Sequence, residues 1–203
     1  MKKVRNITSS PRGAASYSIQ FAQALIDRIV AANPGSTVQT TDLVKMNFPH
    51  LEEAHLTSFF TPVDQHTEKD KEAIRRSDEA IKEIMEADIL VIGAPMYNFS
   101  IPSALKAWLD HIIRAGITFR YSEKGIEGLV KGKKVYLVLS SGGIYSEGSM
   151  KPNDFVEPYL RTVLGFIGLT DITTVRVEGS AIPGIKETAL ERAIESIALP
   201  AVA

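Results

Sequence analysis

Strand-like and helix-like stretches alternate along this chain, which predicts an α/β fold: a doubly wound, five-stranded parallel sheet with helices on both faces. Three observations carry that reading. Ile89-Leu90-Val91-Ile92-Gly93 is an unbroken apolar run, as a strand covered on both faces requires. Ile19, Ala22, Leu25, Ile26 and Ile29 recur at helical spacing in the first long stretch between strands. The 203 residues, 44% of them hydrophobic, suffice for one full core, so a single domain over 1–203 is expected.

The elements follow in order. Residues 4–8 read as strand one, although Arg5 and Asn6 are polar. Residues 16–31 read as helix one, stopped by Asn33-Pro34-Gly35. Residues 37–43 are β-branched and alternate about Val38, which suits strand two. Residues 44–66 form a connection too long to be idle, with Pro49, His50, Phe59, Phe60 and Pro62. Residues 67–87 form a charged amphipathic helix; Ala73, Ile74, Ala80, Ile81 and Ile84 are its apolar stripe, and its charges lie on a solvated face. Residues 88–94 are strand three and 101–115 helix three, with Pro102 tolerated in its first turn. Residues 118–121 and 125–129 make a small excursion with turns at Gly125 and Gly128. Residues 134–140 are strand four, 141–152 a Gly/Ser-rich loop, 155–165 helix four, 172–178 strand five and 186–198 the last helix.

Composition excludes several functions. A formal charge of −1 argues against a nucleic-acid or anionic-membrane surface. There is no cysteine, which removes disulfides, thiol catalysis and Cys-ligated metals. His50, His55, His66 and His111 form no H-E-x-x-H and do not cluster in sequence, so no metal is expected. His111, beside Asp110, reads as a solvated or interface histidine. No serine lies in G-x-S-x-G, which leaves a serine hydrolase without support. No apolar run approaches the roughly 20 residues that span a bilayer. Met1-Lys2-Lys3 leads into a β-like segment with no signal-peptide core. A cytoplasmic protein is expected.

Three loops follow strands one, three and four, and a parallel sheet brings those strand ends to one edge, where such folds bind ligands. In the first, Ser9, Ser10, Ser16, Tyr17 and Ser18 surround the start of helix one. Free amides and hydroxyls there suit a phosphate, or Ser16 or Ser18 simply caps the helix. The loop is neither G-x-x-x-x-G-K-[ST] nor G-x-G-x-x-G, which disfavours nucleotide hydrolysis and a dinucleotide site. The second loop, Met96-Tyr97-Asn98-Phe99, offers amide and aromatic groups to a flat ligand; the alternative for Tyr97 and Phe99 is packing beneath helix three. The third, Ser140-Ser141-Gly142-Gly143, lets backbone approach such a ligand closely. A phosphate-bearing planar aromatic ligand fits all three, and flavin mononucleotide (FMN) fits best.

Several longer stretches sharpen this: Ala94-Pro95-Met96-Tyr97-Asn98-Phe99, Arg114-Ala115-Gly116-Ile117-Thr118-Phe119-Arg120-Tyr121, and Glu127-Gly128-Leu129-Val130-Lys131-Gly132-Lys133-Lys134. Pro158-Tyr159-Leu160 and Leu164-Gly165-Phe166-Ile167-Gly168 add to them. Through these the chain resembles, over nearly its whole length, the bacterial FMN-dependent NADH-azoreductase and NADH:quinone oxidoreductase family, of flavodoxin-like fold with strand order 2-1-3-4-5. The resemblance implies one FMN per subunit and NADH as electron donor. Electrons would pass by ping-pong two-electron hydride transfer to quinones, azo compounds or nitroaromatics. It implies that Ser10, Ser16, Tyr17 and Ser18 bind the phosphate and ribityl end, and that Met96 to Phe99 and Ser140 to Gly143 hold the ring. It implies a homodimer with both sites at the interface, and a substrate side lined by Asn98, Tyr121, Phe60 and Val163, with Tyr121 as its aromatic. No side chain is expected to be catalytic, because the flavin carries the chemistry.

The chain departs from the family at three places. Ser141 stands where relatives often carry Arg, Phe60-Thr61 replaces a pocket Arg, and Val163 stands where some relatives have Phe. These bear on nicotinamide preference and acceptor range. The alternative reading is a flavodoxin-like FMN electron carrier without a nicotinamide site.

Overall fold

The structure is a computed structural model and describes residues 1–197. Its central sheet is parallel and five-stranded: β1 (Lys3–Thr8), β2 (Thr37–Asp42), β3 (Ile89–Pro95), β6 (Lys134–Ser140) and β7 (Asp171–Val177), in the order β2-β1-β3-β6-β7. β4 (Phe119–Ser122) and β5 (Gly125–Gly128) form a separate antiparallel hairpin, the excursion expected from the sequence. Without the hairpin, the sheet order is the expected 2-1-3-4-5.

Burial explains the order. All seven residues of β3 are buried, and so are the last six of β6, so both strands are central. β2 is mostly polar and exposed and forms an edge. Alternate residues of β3 serve opposite faces. Leu90, Ile92 and Ala94 pack with α4 (Glu68–Glu86), α5 (Ser103–Ile112) and α6 (Glu157–Phe166). Ile89 and Val91 pack with α1 (Tyr17–Ala32) and α7 (Ala189–Glu195). Trp108 is the largest fully buried side chain and anchors the first of these cores.

Local chemistry sets the helix ends. Thr67 and Asp70 form a reciprocal capping box at the start of α4. Asp154 Oδ1 accepts the Val156 and Glu157 N–H groups at the start of α6, at 2.9 and 3.1 Å. α5 starts at Ser103, so Pro102 precedes the helix rather than sitting in its first turn. It stops at Ile112, three residues short of expectation, because Thr118 Oγ1 donates to the Ile112 carbonyl and turns the chain.

Three further expectations are corrected. Strand two ends at Asp42, and α2 (Leu43–Met46) and α3 (Glu53–Phe60) occupy much of the expected 44–66 connection, their short runs giving too little periodicity to read. The last helix begins at Ala189, since Lys186 and Thr188 N–H groups donate into a preceding turn. Its expected end at residue 198 lies outside the described residues. His111 is neither solvated nor at a surface but fully buried. Its Nε2 lies 3.1 Å from the Pro49 carbonyl, and its ring stands edge-on to Phe48 and His55. The sequence hid this because α3 folds over α5 from about 55 residues away.

Candidate functional site

Strand register places the three loops together. Thr8 pairs with Gly93, and Pro95 with Ser140, so the first, second and third loops leave the sheet side by side. Two bonds fasten them. Ser9 Oγ donates to the Gly93 carbonyl at 2.7 Å, and Met96 N–H donates to the Ser140 carbonyl at 2.7 Å.

In the first loop, Ser16 occupies the N-cap position of α1 but makes no capping bond. Its hydroxyl lies 3.0 Å from that of Ser18, and both residues are buried. Tyr17 and Ser18 N–H groups donate to nothing among the described residues. A buried pair of hydroxyls beside free amides at the positive end of a 16-residue helix is chemistry suited to an anion. The capping alternative therefore does not describe Ser16. Ser10, in the same loop, is also buried, its Oγ accepting from Arg12 N–H at 3.3 Å.

The second loop is a two-residue reverse turn. Tyr97 and Ser100 exchange both backbone bonds, at 2.9 and 3.0 Å. Asn98 and Phe99 lie in the left-handed region, at φ 49° and 68°. Asn tolerates that conformation, whereas a bulky Phe is strained by about 1–3 kcal/mol. Strain of this kind gathers at ligand sites. Tyr97 and Phe99 are 38% and 46% exposed, so they face outward instead of packing beneath α5.

In the third loop, Gly142 and Gly143 leave their N–H groups without an acceptor among the described residues. Their carbonyls accept from Ala181 and Gly179, which fixes the loop against the segment after β7. A Cβ at Gly142 would come 3.2 Å from the Ala181 Cβ, so backbone alone lines this edge. Ser141 Oγ turns inward to the Gly143 carbonyl at 2.8 Å.

A charge cluster supports this edge. Arg176 bonds Asp154 at 2.6 Å and also Glu157. Burial opposes the Glu157 charge, but bonds from Thr174, Arg176 and Arg161 outweigh it and hold its carboxyl down at about 2. Burial likewise works against the Arg176 charge, while bonds to Glu157 and Asp154 raise its pKa above the ordinary arginine value.

Of the residues expected on the substrate side, Asn98 lies in the second loop, and the other three have their neighbours elsewhere in the chain. Tyr121 is 74% exposed and stands edge-on to Phe119 of the hairpin, Phe60 is 79% exposed at the end of α3, and Val163 packs on the inner core. The long connection does reach the site. With Ser9, Pro11 and Ser103, its residues Val44, Phe48 and His50 wall a cleft of about 260 Å³. Sequence reasoning missed Tyr145 and Glu178. Tyr145 follows the glycine pair closely, which was a usable signal; Glu178 is 33 residues further on and carried none.

Phosphate-sized anion donors, a strained amide-bearing turn and a bare glycine edge, all on one sheet edge, fit FMN. The comparisons agree. A family model described as flavodoxin-like fold matches residues 2–199. An FMN-dependent NADH:quinone oxidoreductase of Herminiimonas arsenicoxydans is 48% identical over 89% of both chains. The crystal structure of an azoreductase from Bacillus anthracis superposes with a TM-score of 0.88 at 31% identity, covering 96% of each chain. An FMN-dependent NADH-azoreductase of the same species, solved in complex with FMN, gives 0.84 at 26% identity over 95% and 94%. The fold, the loop edge and these likenesses agree, and the chain belongs to the flavodoxin-like family of FMN-dependent NADH:quinone oxidoreductases and azoreductases.

Proposed function

We propose that this chain is an FMN-dependent oxidoreductase that uses NADH to reduce quinones and reductively cleaves aromatic azo compounds. The observation that carries the reading is the shared edge of three loops whose free amides and buried hydroxyls suit FMN from phosphate to ring. The electron-carrier alternative is not favoured, because the relatives similar along most of the chain are named as NADH-using enzymes.

In this reading, Ser10, Ser16, Tyr17 and Ser18 hold the phosphate and ribityl end, the α1 terminus supplying fixed positive potential. Met96 to Phe99 and Ser140 to Gly143 hold the ring through backbone groups, and Asn98 adds a donor and an acceptor. When bound, FMN supplies the two-electron chemistry that takes hydride from NADH and delivers it to the acceptor. The chain's part is orientation and preorganised N–H dipoles, which cost no rearrangement during reaction.

The acceptor side belongs to two chains in this reading. Phe60 and Tyr121 are large, exposed and apolar, which supports their covering a partner's site, while Asn98 and Val163 would line the acceptor side from the chain that holds the ring. The acceptors are flat aromatic compounds: quinones, azo compounds and nitroaromatics. With one site serving donor and acceptor in turn, double-reciprocal plots against NADH at several quinone concentrations should be parallel. Intersecting lines would show a ternary complex and sink the shared-site reading.

A further inference from the structure

Glu178 lies just past β7, and its carboxylate reaches the loop after β6. The Tyr145 N–H donates to Oε1 at 2.7 Å, the Ser146 N–H to the same oxygen at 2.9 Å, and the Ser146 hydroxyl to Oε2. Behind it, Arg176 Nη1 stands 3.6 Å from Glu178 Oε1. The two side chains are only 14% and 15% exposed, so these charge-assisted contacts are little screened.

The consequence falls on Tyr145. With its backbone held, its ring lies across Gly143, where a Cβ would come 3.1 Å from ring carbon Cε2. The same ring stands edge-on to Phe99, centroids 6.3 Å apart and planes at 76°. The Phe99 carbonyl in turn accepts the Phe155 N–H at 3.3 Å, next to Asp154, which Arg176 also holds. One carboxylate thus links the second loop, the third loop and the start of α6.

We propose that Glu178 is a positioning residue for the flavin. By fixing the Tyr145 and Ser146 amides it seats the Tyr145 ring against Gly143 and Phe99, and so sets the shape of the ring-binding edge. This rests on the reading that residues 96–99 and 140–143 hold the FMN ring. No side-chain atom of Glu178 needs to touch FMN.

The test titrates FMN into the apoprotein of the wild type and of the variants Glu178→Ala, Glu178→Gln, Tyr145→Ala and Asn98→Pro. Quenching of FMN fluorescence gives affinity, and visible circular dichroism of the bound flavin reports ring environment. Glu178→Ala should weaken FMN by about tenfold and alter the dichroism, the scale expected for losing charge-assisted bonds, while Tyr145→Ala keeps its backbone bond to Glu178, removes only the ring, and should alter the dichroism in the same way. Glu178→Gln keeps an oxygen that accepts both amides, so it should stay within about threefold of wild type with unchanged dichroism. Wild-type affinity and dichroism in Glu178→Ala overturn the proposal, as do equal losses in Glu178→Ala and Glu178→Gln. If far-ultraviolet dichroism shows that Glu178→Ala does not fold, Tyr145→Ala decides, and unchanged flavin dichroism there overturns the proposal. Asn98→Pro tests the underlying reading separately. It forces residue 98 from φ 49° to about −65°. Unimpaired FMN binding in that variant removes the ring from 96–99, whatever the Glu178 variants do.

Discussion

Ser16 shows how one residue separates two roles that its position alone confuses. A serine at a helix N-cap ordinarily contributes about 1 kcal/mol through its capping bond. Ser16 makes no such bond, so Ser16→Ala should change unfolding free energy by less than about 0.5 kcal/mol while weakening FMN. A urea unfolding midpoint lowered by a full capping contribution would return Ser16 to the helix and take it from the ligand. His111 makes the same kind of point about pH. Burial first, and then the nearby His55 charge, lower its pKa from 6.5 to about 4. Arg114, also facing it, lowers it further, while the Pro49 carbonyl and Asp110 work the other way. The folded state therefore stays unprotonated where the unfolded chain already binds a proton. Stability is full above about pH 6.5 and declines as pH falls toward 4, by up to about 3 kcal/mol. Glu157, held near 2, extends the loss below pH 4.5 because the unfolded chain takes up that proton first. The wild-type unfolding free energy should therefore slope steeply between pH 6.5 and 4, and His111→Leu should flatten that part of the curve. A slope unchanged in His111→Leu would assign the acid sensitivity to other groups.

At the scale of elements, the β4–β5 hairpin depends on two glycines. A Cβ at Gly128 would lie 2.2 Å from the Gly168 nitrogen, and Gly168 itself sits at φ 104°. Backbone meets backbone there, which brings Phe119 against Phe166 with centroids 4.5 Å apart. Gly128→Ala must push the hairpin away from α6. It should raise the KM for quinone several-fold, because Tyr121 rides on the hairpin, and lower stability by about 1–3 kcal/mol. An unchanged KM in a folded Gly128→Ala protein would remove Tyr121 from the acceptor side. These same elements show what could be read from the sequence and what could not. β3 and β6 were legible because burial on both faces makes their middles continuous apolar runs. α1 and α4 were legible because each runs long enough to show its period. α2 and α3 were not, since four and eight residues hold too few turns to outweigh the loop-like composition around them. The three ligand loops were legible as loops, from their glycines, serines and position after strands. Their internal geometry was not: nothing local reveals that Phe99 adopts a left-handed backbone or that Glu178 secures Tyr145.

Across the whole molecule, the sheet decides function by collecting short loops that are far apart in sequence. The first and third loops are some 130 residues apart, yet one pairing step through β3 brings each beside the second. The rest of the chain keeps that edge rigid. Trp108, fully buried in α5, is the largest side chain of the core on this face, and Trp108→Ala should cost about 3–5 kcal/mol by thermal or urea unfolding. A loss below 1 kcal/mol would mean that the core on this face is far less tightly packed than its burial indicates. The central claim is that this edge binds FMN and lets it be reduced by NADH and reoxidised by a quinone. The direct measurement is the visible absorption of the FMN-loaded protein, followed without oxygen. About one bound FMN per chain, rapid bleaching on adding NADH and recovery of the oxidised bands on adding quinone are expected. Bound flavin that NADH leaves oxidised, or a chain that binds no flavin, would contradict it.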